Sequence, residues 1–221
     1  MAEPETAPAG GVNPPVLTVI CGLPGTGKST LARALAARSG AAWLRVDTVE
    51  AALGGVDGPE GYHVIAAQAR DFLATGLPVV IDAVHGAGFG LDWPGLAAGS
   101  GAGIDTVELI CSDRAEHRAR IEARHAADPG TPDWPAVAGR EYRAPSPPAR
   151  RIDTAGRVPA DVLARVLAGA EGRSAPGTAG PDGAPGGAPG GQGAAAGPGA
   201  AAGSAIGDGS ASTGPAGRVA R

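Results

Sequence analysis

The stretch VLTVICGLPGTGKST, Val16 to Thr30, decides the reading of the whole chain. Val16–Cys21 is a continuous apolar, β-branched run, the pattern of a strand buried in a parallel sheet. A Gly-rich turn follows, and Gly22 to Ser29 fits G-x-x-x-x-G-K-[ST]. Successive backbone N–H groups in such a turn form an anion nest, because glycine lets the chain curl around phosphate oxygens. A helix opening at the end of the turn adds partial positive charge. Gly22, Leu23, Pro24, Gly25, Thr26, Gly27, Lys28, Ser29 and Thr30 are therefore expected to hold a nucleoside triphosphate, ATP with Mg²⁺. Lys28 would neutralise the β- and γ-oxygens, and the Ser29 hydroxyl would ligate Mg²⁺. The competing reading, a Gly-rich strand–helix turn without a ligand, explains neither the lysine nor the hydroxyl beside it.

Outward from this turn, strand-like and helical patterns alternate. Leu31, Ala34, Leu35 and Arg38 recur at helical spacing over Ser29–Ser39, and Gly40 is a stop. Ala42–Val46 reads as a second strand ending at Asp47. Pro59–Thr75 reads as a helix with Tyr62, Ile65, Ala66, Ala69, Phe72 and Leu73 on one face. Pro78–Ala83 is a third strand and Thr106–Cys111 a fourth, with a Gly-rich loop, His85–Gly103, between them. An Arg-rich helix spans Asp113–Ala127, and a short helix falls within Asp133–Tyr142. Arg151–Asp153 is a poor fifth strand, and Pro159–Leu167 a last amphipathic helix. Strands apolar on both faces, alternating with helices, predict an α/β fold with a parallel sheet covered on each side. Ligands of such sheets bind beyond the C-terminal strand ends.

Composition sets the limits. Of 221 residues, 38 are Gly and 21 Pro, concentrated at the ends of the chain. Residues 1–14 and 171–221 lack large periodic apolar positions and are expected to be disordered tails around one domain, 15–170. A net charge of −4 gives no bulk electrostatic case for nucleic acid. No apolar run is long enough to span a membrane, and no signal-peptide pattern opens the chain. Cys21 and Cys111 read as reduced thiols of a cytoplasmic protein. Lys28 is the sole lysine among 18 basic residues. In a chain that otherwise uses arginine, it stands where a phosphate loop needs a compact ammonium.

Two acids stand at predicted strand ends. Phosphoryl transfer to a hydroxyl uses a carboxylate to position or deprotonate the acceptor, and acidic help in holding Mg²⁺. Asp47 is assigned to acceptor activation and Asp82 to magnesium or substrate orientation, with the reverse division open and capping of a following helix or turn the plain alternative for each. Arg114, Arg118, Arg120 and Arg124 crowd the helix after strand four. Arginine suits charge stabilisation on a transferring phosphoryl group, although the same helix carries Asp113, Glu116 and Glu122 for short-range ion pairs. Asp153-Thr-Ala-Gly156 matches the D-x-x-G of GTPases, but it lies near the end of the core and no N-K-x-D motif accompanies it.

Taken with the loop, the blocks VVIDAV (Val79–Val84), VELICSDRAEHRARIEAR (Val107–Arg124), PDWPAVAGREY (Pro132–Tyr142) and IDTAG (Ile152–Gly156) resemble the zeta-toxin-like, AAA-annotated ATP-binding kinases of the P-loop superfamily. The resemblance implies a three-layer kinase fold, a five-stranded sheet of order 2-3-1-4-5, and the Arg helix as a lid. It implies that Asp47 acts on the acceptor hydroxyl, that Arg118 or Arg120 contacts phosphate, and that Asp153, Thr154 and Gly156 border the adenine. Relatives often carry a basic residue soon after the strand-three aspartate, whereas His85–Gly103 has no Arg or Lys. The expectation is an ATP-dependent kinase, a monomer acting on a small-molecule hydroxyl. A nucleotide-dependent switch and a toxin-like kinase are the alternatives.

Overall fold

The computed structural model describes residues 13–171 except 57, 88, 147 and 148. Apart from Asn13, Pro14 and Glu171, the expected tails lie outside the described residues. Twelve elements follow in order among them. They are β1 (Val16–Cys21), α1 (Lys28–Ser39), β2 (Ala42–Arg45), α2 (Val46–Ala52), α3 (Pro59–Ala74), β3 (Val79–Asp82), α4 (Trp93–Gly99), β4 (Gly103–Ile110), α5 (Arg114–Ala127), α6 (Trp134–Ala138), β5 (Arg150–Asp153) and α7 (Pro159–Glu171). The five strands form one parallel sheet of order β2-β3-β1-β4-β5. All C-terminal strand ends therefore meet at one edge, where the loop after β1 emerges.

Side-chain alternation on the central strands makes two cores. Leu17, Val19, Val79 and Ile81 face Ile65, Ala69 and Leu73 of α3 and Trp93 of α4. Ile20, Val80, Val107 and Leu109 face Leu31 and Leu35 of α1 and Val162 and Val166 of α7. Each fully buried Leu, Ile or Val contributes about 1.5–3 kcal/mol of transfer free energy. The loop after β1 is thus anchored on both sides of the sheet.

Several expectations need correction. β2 stops at Arg45 and α2 begins at once, so Asp47 lies in the first turn of a helix and not at a strand end. The stretch 85–103 is not all loop. Asp92 caps α4 by accepting from the Gly95 N–H at 3.0 Å, with Pro94 in its first turn. Buried Trp93, Leu96 and Ala97 hold this short helix on the sheet. β4 begins at Gly103, three residues before the expected Thr106, and its faces are not wholly apolar. Asp105 and Glu108 are buried in it and pair with Arg150 and Arg151 of β5, the second pair at 2.6 Å. These pairs explain how the charged sequence Arg150-Arg-Ile-Asp153 forms a strand: its arginines supply the counter-charges that buried carboxylates require.

Candidate active site

The turn after β1 has the shape its sequence implies. Gly22 adopts φ 141° and donates its N–H to the Val84 carbonyl at 3.0 Å, tying the loop to the exit of β3. A side chain at Gly22 would meet the Leu109 carbonyl oxygen, 2.2 Å from an ideal Cβ. The Leu23 carbonyl accepts from the Thr26 hydroxyl at 2.9 Å and from Lys28 Nζ at 3.0 Å. Gly27, at φ 93°, caps α1 without a side-chain hydrogen bond, and no acid occupies the first turn. The positive end of α1 therefore remains available to an anion.

The helix after β4 closes the loop from the other side. Asp113 caps α5 through the N–H groups of Ala115 and Glu116 at 2.8 and 3.0 Å. Ile121 and His117 then lie against Gly25, where a Cβ would stand 2.6 Å from Ile121 Cδ1. His117 Nε2 is 2.7 Å from the Pro24 carbonyl, and its ring meets Trp134 edge-on at 5.4 Å. Sequence reasoning left His117 without a role. The signal was its i, i+4 relation to Ile121, the one large aliphatic residue on that helix.

A cleft of about 1300 Å³ opens beside this loop, lined by Pro24 to Leu31, by Arg45, Asp47 and Glu50, by Arg120, Arg124 and Arg140, and by Thr154 and Arg157. Lys28 is buried, and desolvation pushes its ammonium down to about 8, opposed by the charges of Asp82 and Asp47 and assisted by Arg124. Both candidate acids and one helix arginine are thus within electrostatic reach of the loop lysine. Asp82 is 3 % exposed. Burial raises its pKa, against the Ser29 hydroxyl hydrogen bond and the Lys28 charge. Asp82 Oδ2 has no hydrogen-bond partner, and neither has Arg45 Nε, 3.7 Å away. A carboxylate with an unsatisfied buried oxygen beside a hydroxyl suits a hard cation that takes few protein ligands and keeps phosphate and water oxygens. Among the described residues no group of three or more His, Cys, Asp or Glu could hold a metal, so phosphate oxygens would have to complete any such site.

Six expected site residues, the buried Asp82 among them, do not line the cleft. Arg118 does not line the cleft: it is 59 % exposed and pairs with Glu122 at 2.7 Å. The helix rotation that brings His117 and Ile121 onto the loop carries Arg120 and Arg124 to the cleft and Arg118 away from it. Arg120 is fixed by Thr154, at 3.0 Å to its hydroxyl and 2.9 Å to its carbonyl, and by Glu116 at 2.5 Å. After β5, Thr154 lines the cleft wall, but Asp153 and Gly156 do not. Asp153 accepts from the Ser112 hydroxyl, from the Ser112 N–H at 3.0 Å and from the Ala155 N–H at 3.1 Å. These bonds, the Ser112 hydroxyl first, hold its carboxyl down to about 2. Gly156 donates its N–H to Glu116 at 2.8 Å. Both residues build the turn that carries Thr154 and Arg157. Gly22, like Leu23, shapes the loop without lining the cleft.

The chain after α6 supplies what 85–103 lacks. Arg140 lines the cleft. Arg143 lies over the Phe89 ring at 5.8 Å, its carbonyl accepts from the Gly86 N–H at 3.2 Å, and its N–H donates to His85 Nδ1 at 3.3 Å. Cations thus reach the β3 exit from a segment far away in sequence.

A family model described as AAA domain matches residues 17–144. Among solved structures, a provisionally named kinase from Chloroflexus aurantiacus is similar, with TM-score 0.56 and 20% identity, over 73% of this chain and 99% of that one. The APS kinase of Mycobacterium tuberculosis, solved in complex with AMPPNP and APS, is similar with TM-score 0.53 and 17% identity, over 71% and 98%. These likenesses are of fold. No curated protein matches the sequence.

Proposed function

Because this chain belongs to the AAA domain family and its own structural neighbours include kinases, we propose that it is an ATP-dependent phosphotransferase acting on a hydroxyl of a small molecule. The observation that carries this reading is the convergence of Lys28, Asp47 and Arg124 on one cleft at the loop, with the buried Asp82 within electrostatic reach of Lys28. Lys28 and the N-terminus of α1 bind the β- and γ-phosphates. Ser29 and Asp82 would hold Mg²⁺, which when bound neutralises charge on the phosphate oxygens. Asp47, 45 % exposed in the cleft lining, accepts the proton of the acceptor hydroxyl. The acceptor oxygen then bonds to the γ-phosphorus as the β,γ-bridging bond breaks, and that electron pair leaves on ADP. Arg120 and Arg124 face the phosphates as the stabilising cations. Thr154 and Arg157 border the nucleoside.

Residues 15–170 act as the catalytic domain of a monomer. The protein works in the cytoplasm, where ATP and the free thiols of Cys21 and Cys111 coexist. Among the described residues no helix is long and apolar enough to cross a membrane.

Asp47→Asn is the test of the chemistry, since it keeps shape and removes the base. Magnesium-dependent ADP formation is expected to fall by about 10²–10⁴, with ATP affinity within two-fold of wild type by calorimetry. Unchanged turnover would remove Asp47 from the reaction.

A further inference from the structure

Arg45 and Asp82 are direct neighbours across the β2–β3 pair. Asp47 follows two residues later, in the first turn of α2. The register therefore sets one guanidinium between two carboxylates. Arg45 Nη2 donates to Asp47 Oδ2 at 2.9 Å. Its Nε faces Asp82 Oδ2 at 3.7 Å, too far for a hydrogen bond, and both of those buried atoms lack a partner. The fork is bonded on its Asp47 side and unfilled on its Asp82 side.

We propose that Arg45 is a positioning residue that bridges Asp47 of the cleft and the buried Asp82, aiming Asp47 at the acceptor and restraining the affinity of Asp82 for its cation. This rests on reading the cleft as an ATP·Mg²⁺ phosphotransfer site. Two consequences of opposite sign follow. A positive charge beside Asp82 repels a second cation, so its removal tightens cation binding. The same removal leaves Asp47 free to swing, and an ångström of misplacement costs about 10²-fold in rate. Loss of packing alone would weaken both functions together. Arginine is required, since only a planar fork reaches two carboxylates at once; lysine restores the charge and not the bridge.

The test compares wild type, Arg45→Gln and Arg45→Lys in two measurements. One is the Mg²⁺ concentration that half-saturates binding of a fluorescent ATP analogue; the other is Mg²⁺-dependent ADP formation. Thermal melts identify any variant that fails to fold, and Arg45→Lys then carries the comparison. Arg45→Gln is expected to lower the half-saturating Mg²⁺ by about three-fold or more while turnover falls by about ten-fold or more. Arg45→Lys is expected to return the Mg²⁺ dependence towards wild type with turnover still low. A raised or unchanged Mg²⁺ requirement in Arg45→Gln, unchanged turnover in that variant, or full recovery of turnover in Arg45→Lys overturns the inference. A wild type that forms ADP, with any of these, limits the failure to Arg45. A wild type whose ATP binding ignores Mg²⁺ overturns the reading of the cleft, and the inference with it.

Discussion

Lys28→Met is expected to weaken ATP binding by about 10- to 150-fold and, at the same time, to raise the melting temperature of the nucleotide-free protein. The first effect follows from losing a charge-assisted contact to phosphate in a buried setting. The second follows from what the ammonium costs when no phosphate is present. Burial lowers its pKa from 10.5 to about 8, which corresponds to about 3 kcal/mol against the charged form. Its Nζ finds one carbonyl, that of Leu23, and Leu23 keeps the Thr26 hydroxyl when the lysine is gone. The sign of the pH dependence follows. Below about pH 8 the lysine is protonated in both folded and unfolded chains, and the cost is fully present. Between about 8 and 10.5 the unfolded chain binds more protons at this site, so the lysine's contribution to stability rises with pH. Denaturant titrations from pH 7 to 10.5 should show wild type gaining stability relative to Lys28→Met. Calorimetry at pH 7 should show the affinity loss. A variant both less stable and unimpaired in ATP binding would remove Lys28 from the phosphate site.

Gly22→Ala is expected to cost about 3 kcal/mol or more. The backbone stands at φ 141°, and the added Cβ would lie 2.2 Å from a backbone oxygen of β4, which no rotamer change can relieve. To make room, the loop must lift from Leu109, and the Gly22 N–H then leaves the Val84 carbonyl. The strain passes directly to the phosphate nest, so ATP binding should fall with stability. Gly76→Ala is the control. Gly76 has φ 81° after α3 but nothing within 4 Å of its Cβ position, so it should lose only the conformational cost of about 1 kcal/mol. Urea midpoints of the two variants separate steric from conformational strain. Equal losses would mean that the Gly22–Leu109 approach does not constrain the loop.

The central strands, the loop and the helix after it were legible in sequence, because continuous β-branched runs and a Gly-rich turn each admit few conformations. What escaped depends on partners remote in the chain. β5 looks poor alone, since its arginines acquire meaning only opposite Asp105 and Glu108. α4 is seven residues of mostly small side chains, too short for a helical period to emerge, and is recognised by its Asp92 cap. Arg118 and Arg120 are equivalent by composition; only the rotation of α5 on the loop, set by Ile121 and His117, separates the cleft residue from the solvated one. Asp153 matched a nucleotide-binding motif, yet its carboxylate is consumed by Ser112 and Ala155. A motif names the residue types and leaves open where a strand end turns them.

The central claim is that the cleft at Lys28 moves the γ-phosphoryl group of ATP onto an alcohol. The direct measurement incubates the protein with Mg²⁺, ATP carrying a labelled γ-phosphate, and a pool of hydroxylated metabolites, then separates the labelled products. A labelled phosphate monoester, absent without Mg²⁺ and absent with Lys28→Met, is the predicted result. Label that stays on ATP under every acceptor, while calorimetry shows ATP bound to the same preparation, would contradict it.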